Sequence, residues 1–362
     1  MKKILITLLL IPNLILAQTY DWSPFGSQIL EESSSNPEFG DANALNDDGT
    51  IIVLGDQKAQ DPNGDVTGHV RVFEYLTSSG WTQIGSDIDG EGPDEHFGIS
   101  VAISGDGSII AAGAPNHNND KGHVRVFENI SGTWTQVGSE IEGPNNNNKF
   151  GISVSLSNDG SIVAIGSNEN STGQATGTVT IYQNISGTWT QIGSDIDGDS
   201  NGDKFGQAIS LNSAGSVIAI GASQEDNSSG SGGYARVFEN ISGTWTQVGS
   251  NITASFSGDR MGGYNGVSLS AAGDVLALGA TRSDEGGTDA GHVRVFENIS
   301  GTWTQIGAPI IGDSNDDYFG WSVDLVHSGN GFVVSAPGND GGGSSSGQVK
   351  VFEYALGDWI PI

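Results

Sequence analysis

Among residues able to do chemistry, the most ordered group is Asp197-Gly198-Asp199-Ser200-Asn201-Gly202-Asp203. Asp197, Asp199, Asn201 and Asp203 put oxygen side chains at alternate positions, with glycines to turn the chain, as a loop wrapping a hard cation does. These four residues are the candidate calcium ligands, and calcium is the one cofactor the sequence suggests. Position twelve counted from Asp197 is Ala208, so no closing bidentate carboxylate stands there. Solvated turns use the same residue types. Looser versions occur at Asp61, Asn63 and Asp65 and at Asp313, Asn315, Asp316 and Asp317.

The other reactive side chains follow a repeat and not a site. His69, His123 and His292 occupy one recurring position, replaced elsewhere by Thr178, Tyr234 and Gln348, while His96, His117 and His327 show no ligand spacing. A structural role is expected for these histidines. Arg71, Arg125, Arg236 and Arg294 also share one position, which suggests pairing with acidic neighbours. The fifth unit departs from the pattern at Asp259, Arg260 and Arg282, which become candidate ligand-contacting residues. No phosphate loop or His-Glu-x-x-His motif occurs, so no catalytic residue is assigned.

The elements that must carry these residues are short and regular. Tryptophan marks a period of about 56 residues at Trp22, Trp81, Trp134, Trp189, Trp245, Trp303 and Trp359. Each interval holds four β-branched segments bounded by Gly, Asn, Asp or Ser, here called strands A to D. In the second unit they begin at Phe97, Ile109, Gly122 and Trp134. Strands B and C are apolar almost throughout, which requires cover on both faces. Four strands per unit of this length predict propeller blades, with A strands starting near residues 39, 97, 150, 205, 263 and 319. The expected fold is all-β: a six-bladed propeller of four-stranded antiparallel blades in one domain, residues 18–362. Trp22 and Trp359 compete for the outer place in the sixth blade, and closure by the N-terminal strand is slightly favoured.

Residues 1–17 are set apart, because Lys2-Lys3 precede an apolar run that ends at Ala17, the pattern of a cleaved export signal. The full chain of 362 residues has 13 Lys+Arg against 43 Asp+Glu, a net charge of −30 that repels phosphate backbones and anionic lipid. Nucleic acid is therefore excluded as a partner, and no membrane insertion is expected once the signal is removed. With no cysteine there is no disulfide, thiolate nucleophile or Cys-ligated metal. The 56 glycines are about twice the usual share of roughly 7%, as a turn-rich chain needs.

Phe97-Gly98 opening strand A and Gly113-Ala114-Pro115 closing strand B resemble the FG-GAP repeat. The chain is similar to the propeller of integrin α-subunits and, more closely, to secreted Bacteroidetes proteins with a Gly-Thr-Trp-Thr-Gln hairpin. The resemblance implies an extracellular adhesion or ligand-binding propeller, with calcium between strands A and B. Here the A-B connections, such as Ser104-Gly105-Asp106-Gly107-Ser108, are hairpins too short to wrap calcium. The expected function is a secreted or cell-surface, non-catalytic, monomeric propeller. It would recognise a protein or carbohydrate through the face of the variable B-C and D-A loops. The alternatives are a glycan-active propeller enzyme, glycosidase or lyase, and a purely structural surface component.

Overall fold

The computed structural model describes residues 26–30, 38–61, 63–168, 176–224 and 232–362. Six antiparallel sheets follow one another along the chain as the blades of an all-β propeller. The second blade is representative, with A at Ser100–Ile103, B at Ile109–Ala114, C at His123–Ile130 and D at Thr133–Gln136. In the first five blades the outer strand continues after a break as two residues paired to the head of C, as Ile141–Glu142 does on Val124 and His123. The sole helical element among the described residues is the turn His117–Asp120, whose left-handed Asn118, Asn119 and Asp120 make it a tight surface loop.

The recurring tryptophan and glycine positions are contacts between blades. In blades two to six the periodic tryptophan donates its indole N–H to a backbone oxygen of the preceding blade, from Trp134 to Ile84 at 2.9 Å through Trp359 to Ile306 at 3.0 Å. Glycines bring the backbones together. A Cβ on Gly113 of strand B would lie 2.1 Å from the Gly151 oxygen of the next blade's Phe-Gly pair, and the same clash recurs at Gly55, Gly166, Gly221 and Gly279. Beside each contact the Phe of that pair, or Met261 in the fifth blade, is wholly buried.

Around the axis the A-B turns are chained by backbone bonds, each N–H donating to the next turn: Asp47 to Gly105, Gly105 to Asn158, Asn158 to Ser213, Ser213 to Ala271 and Ala271 to His327. The last step differs, for His327 Nε2 meets Asp47 Oδ1 at 3.3 Å and side chains close the circle. Farther out, the seam between blades six and one lacks the glycine contact. Ser335 stands where the other B strands carry glycine, and a Cβ placed on Gly40 of the first Phe-Gly pair would meet nothing within 4 Å. Val349 is 66% exposed at this seam, whereas its equivalent Val293 is fully buried. The outer strand of blade six is the local hairpin Asp358–Pro361, paired through Tyr354↔Trp359, and not the N-terminal strand that was slightly favoured. A hairpin closes a short loop at lower entropic cost than joining the chain ends. Trp22 lies outside the described residues, as does the export signal.

These contacts predict unequal tolerance at equivalent positions. Gly113→Ala, forced into the Gly151 oxygen, should destabilise the fold by about 3 kcal/mol. Ser335→Ala, which loses one bond from the Ser322 N–H, should cost about 1 kcal/mol. Urea denaturation midpoints of the two variants check the difference, and equal costs would contradict the contact argument.

Candidate functional site

The last residues of the six A strands converge on the axis. Leu45, Ile103, Leu156, Leu211, Leu269 and Leu325 ring a cavity of about 390 Å³ inside the chain of A-B turns. The residue before each of these is small in five blades, namely Ala44, Ala102, Ser155, Ser210 and Ser268, and in the sixth it is Asp324. The serines knit the blades: Ser155, Ser210 and Ser268 Oγ accept the N–H groups of Leu211, Leu269 and Leu325 at 3.0, 3.0 and 2.9 Å. Asp324 is thus the single carboxylate on an otherwise Ala and Ser girdle.

Its setting suits an acid. The Asp324 side chain is exposed to the cavity that it lines, with protein packed closely around that cavity. Desolvation raises its pKa, against a smaller lowering by the Ser268 hydroxyl, 3.3 Å from Oδ1, and by the nearby His327. On the same rim His327 is held by Asp47, whose other oxygen accepts from Asn158 Nδ2 at 3.0 Å. Blades one, three and six thereby bring a carboxylic acid and a carboxylate-paired imidazole to one cavity. A raised acid beside a supported base is the arrangement used for proton transfer at a reacting ester or acetal.

At the opposite end, the D-A loops with their acids are tied down by the protein itself. Asp197 Oδ1 accepts from the Thr178 hydroxyl at 2.9 Å, and Asp199 Oδ1 meets Arg236 Nη1 at 3.3 Å. Asp203 is buried; its Oδ2 accepts from the N–H groups of Asp199 and Ser200 and from the Tyr234 hydroxyl, which burial and this bond push up in pKa. These candidate calcium ligands are thus spread over separate protein donors; Asn201 lies on the exposed tip of the same loop. Three of the repeat-position arginines pair with acids as their spacing suggested, Arg71 with Asp87, Arg125 with Glu91 and Arg236 with Asp199, while Arg294 donates to His292; Arg125 also stacks 4.0 Å from the Phe97 ring centroid and donates to the Asp89 oxygen at 2.6 Å.

In the fifth blade the Arg282 N–H donates to the Asp259 oxygen at 3.0 Å, and Arg282 Nη1 lies 3.9 Å from Asp289. The buried Asp259 carboxyl accepts from the Phe256 N–H, and desolvation raises its pKa. Arg260 Nη1 sits 3.4 Å from the hydroxyl of Tyr264, whose ring stacks on Trp321 at 3.8 Å. The three residues thus share a loop region, with the Arg260 side chain turned to an aromatic pair. Trp321 is the one tryptophan off the 56-residue period, and that departure was the available signal for it.

A second group escaped the spacing argument altogether. The rings of His117 and His123 stack at 4.0 Å beside Glu95 and Glu140, although the two histidines come from a B-C loop and the head of strand C. Burial, followed by His117, lowers the pKa of His123 to about 3, so this imidazole is neutral. His292 in blade five is likewise lowered to about 3 by burial and by Arg294.

Comparison with known proteins supports the architecture. Residues 311–352 match the FG-GAP repeat family model, which shows the resemblance on the sixth unit. No curated protein sequence matches the chain. A solved Bacteroides uniformis protein described as a 6-phosphogluconolactonase is similar in fold, with TM-score 0.61 and 13% identity over 91% of this chain and 85% of that one. The periplasmic gluconolactonase of Pseudomonas aeruginosa gives TM-score 0.59 and 14% identity over 88% and 83%. At such identity the likeness is one of fold. Both structures carry lactonase names, and on that finding the expectation of a non-catalytic binding and adhesion propeller is not kept.

The pKa of His292 carries a pH dependence. The unfolded imidazole titrates near about 6.5, so between that pH and about 3 the unfolded chain binds the extra proton and stability falls with falling pH. His292→Gln should reduce the slope of unfolding free energy in this window by up to about 1.4 kcal/mol per pH unit. Urea melts at several pH values provide the measurement, and an unchanged slope would contradict the buried neutral state.

Proposed function

We propose that the chain is a propeller-fold hydrolase of a sugar lactone, acting in the axial cavity. The observation that carries this reading is Asp324, the lone acid of the axial girdle, placed beside the His327 and Asp47 pair. The lactonase names of the two structural neighbours supply the substrate class. The cavity, about 390 Å³, is of a size for one monosaccharide-scale ring, and between the leucine and isoleucine side chains its lining is mostly polar, as a hydroxylated ring needs.

The chemistry needs one proton removed and one supplied. His327 takes a proton from water as its oxygen bonds to the acyl carbon; Asp47 holds the imidazole and stabilises its charged form. The ring C–O bond then breaks, Asp324 protonates the leaving oxygen, and the product is an open-chain hydroxy acid. The N-terminal export signal would place this reaction outside the cytoplasm, where a strongly acidic protein remains soluble.

The test is acid release from D-glucono-1,5-lactone, followed at constant pH with the purified full chain. Turnover above the spontaneous rate is expected, with Asp324→Asn and His327→Gln each lowering kcat by about 100-fold or more. No turnover, or full activity in Asp324→Asn, would overturn the reading. Cleavage of an aryl glycoside in place of the lactone would reassign the cavity to glycan hydrolysis.

A further inference from the structure

The His117 and His123 group lies at the loop end of blade two, away from the A-B turns that form the axial cavity, and the proposed hydrolysis does not use it. His123 Nδ1 is 2.6 Å from Glu140 Oε2, which fixes the tautomer with the proton on Nδ1 and leaves Nε2 as a bare lone pair. That Nε2 is buried and has no hydrogen-bond partner, and the side chain is 0% exposed. It points to Glu95 Oε1 at 3.8 Å, too far for a hydrogen bond. The other oxygen of Glu95 lies 2.9 Å from His117 Nδ1. Ligand atoms of Glu95, His117 and His123 all lie within 4.8 Å of one another.

We propose that Glu95, His117 and His123 bind one divalent transition metal of the zinc class. Bonds of about 2.0–2.1 Å at tetrahedral angles set ligand atoms about 3.4 Å apart, so the 3.8 Å gap needs only a small closure. Two imidazoles and one carboxylate suit zinc, whereas calcium and magnesium require mostly oxygen ligands. Glu140 completes the carboxylate, histidine and metal relay from outside the ligand set. The half-buried edge of His117 leaves an entry path.

Blade five provides an internal control. His292 occupies the position of His123, but Ser283 Oγ meets its Nδ1 at 2.8 Å and Arg294 Nε donates to its Nε2 at 3.2 Å, so no lone pair is left for a metal.

Calorimetric titration of zinc chloride into chelator-treated full-length protein tests the proposal. One ion per chain is expected, with affinity lowered at least tenfold in His117→Ala and about tenfold in Glu140→Gln, and unchanged in His292→Ala. His117 sits on a surface turn, so its variant should melt like the parent without zinc and lose the rise in Tm that zinc gives the parent. Absence of saturable uptake, or wild-type affinity in His117→Ala, would overturn the site whatever the outcome of the lactone assay.

Discussion

The close approach of glycine backbones between successive blades is the constraint on which the rest depends. A Cβ at Gly221 or Gly279 would fall 2.0 Å from an oxygen of the next blade, so each blade can nest on its neighbour only where strand B carries glycine. That contact buries the Phe of the next Phe-Gly pair and lets the following tryptophan reach back to the preceding blade. The high glycine content is thus partly an interface requirement, beyond the demand of turns. Where the contact is missing, at Ser335 and Gly40, apolar side chains such as Val349 face solvent and the circle is completed near the axis by His327 and Asp47. The residues proposed to act on substrate stand at the place where the repeat breaks.

This coupling gives a physical reason for one acid in six. Asp324 would burden any blade with a desolvated carboxyl, and in the first five blades the same position holds only Ala or Ser, three of them bonding the next strand. In the sixth blade the position carries instead the carboxylate proposed as the acid.

Much of the fold was legible because interfaces repeat. Trp134 to Trp359, the Phe-Gly pairs and the strand B glycines recur at fixed spacing, and each recurrence reports one blade meeting the next. The site was not legible in the same way. Asp324 lies in a short Val-Asp-Leu strand whose alternation looks like any half-exposed strand, and only the closed ring shows that its polar side is the axial cavity. Glu95, His117 and His123 come from three segments with no ligand spacing, joined by the left-handed turn after His117. The loop at Asp197 to Asp203 had the opposite character: its pattern resembled a cation site, but Arg236, Tyr234 and the loop's own N–H groups use its carboxylates.

The central claim is that substrate sits on the axis against Asp324. A crystal structure with a non-hydrolysable lactam analogue of gluconolactone addresses it most directly. The account predicts the lactam in the cavity ringed by Leu45 to Leu325, its ring nitrogen or carbonyl oxygen within hydrogen-bond distance of Asp324. An empty axial cavity with the analogue bound on the B-C and D-A loops would contradict it.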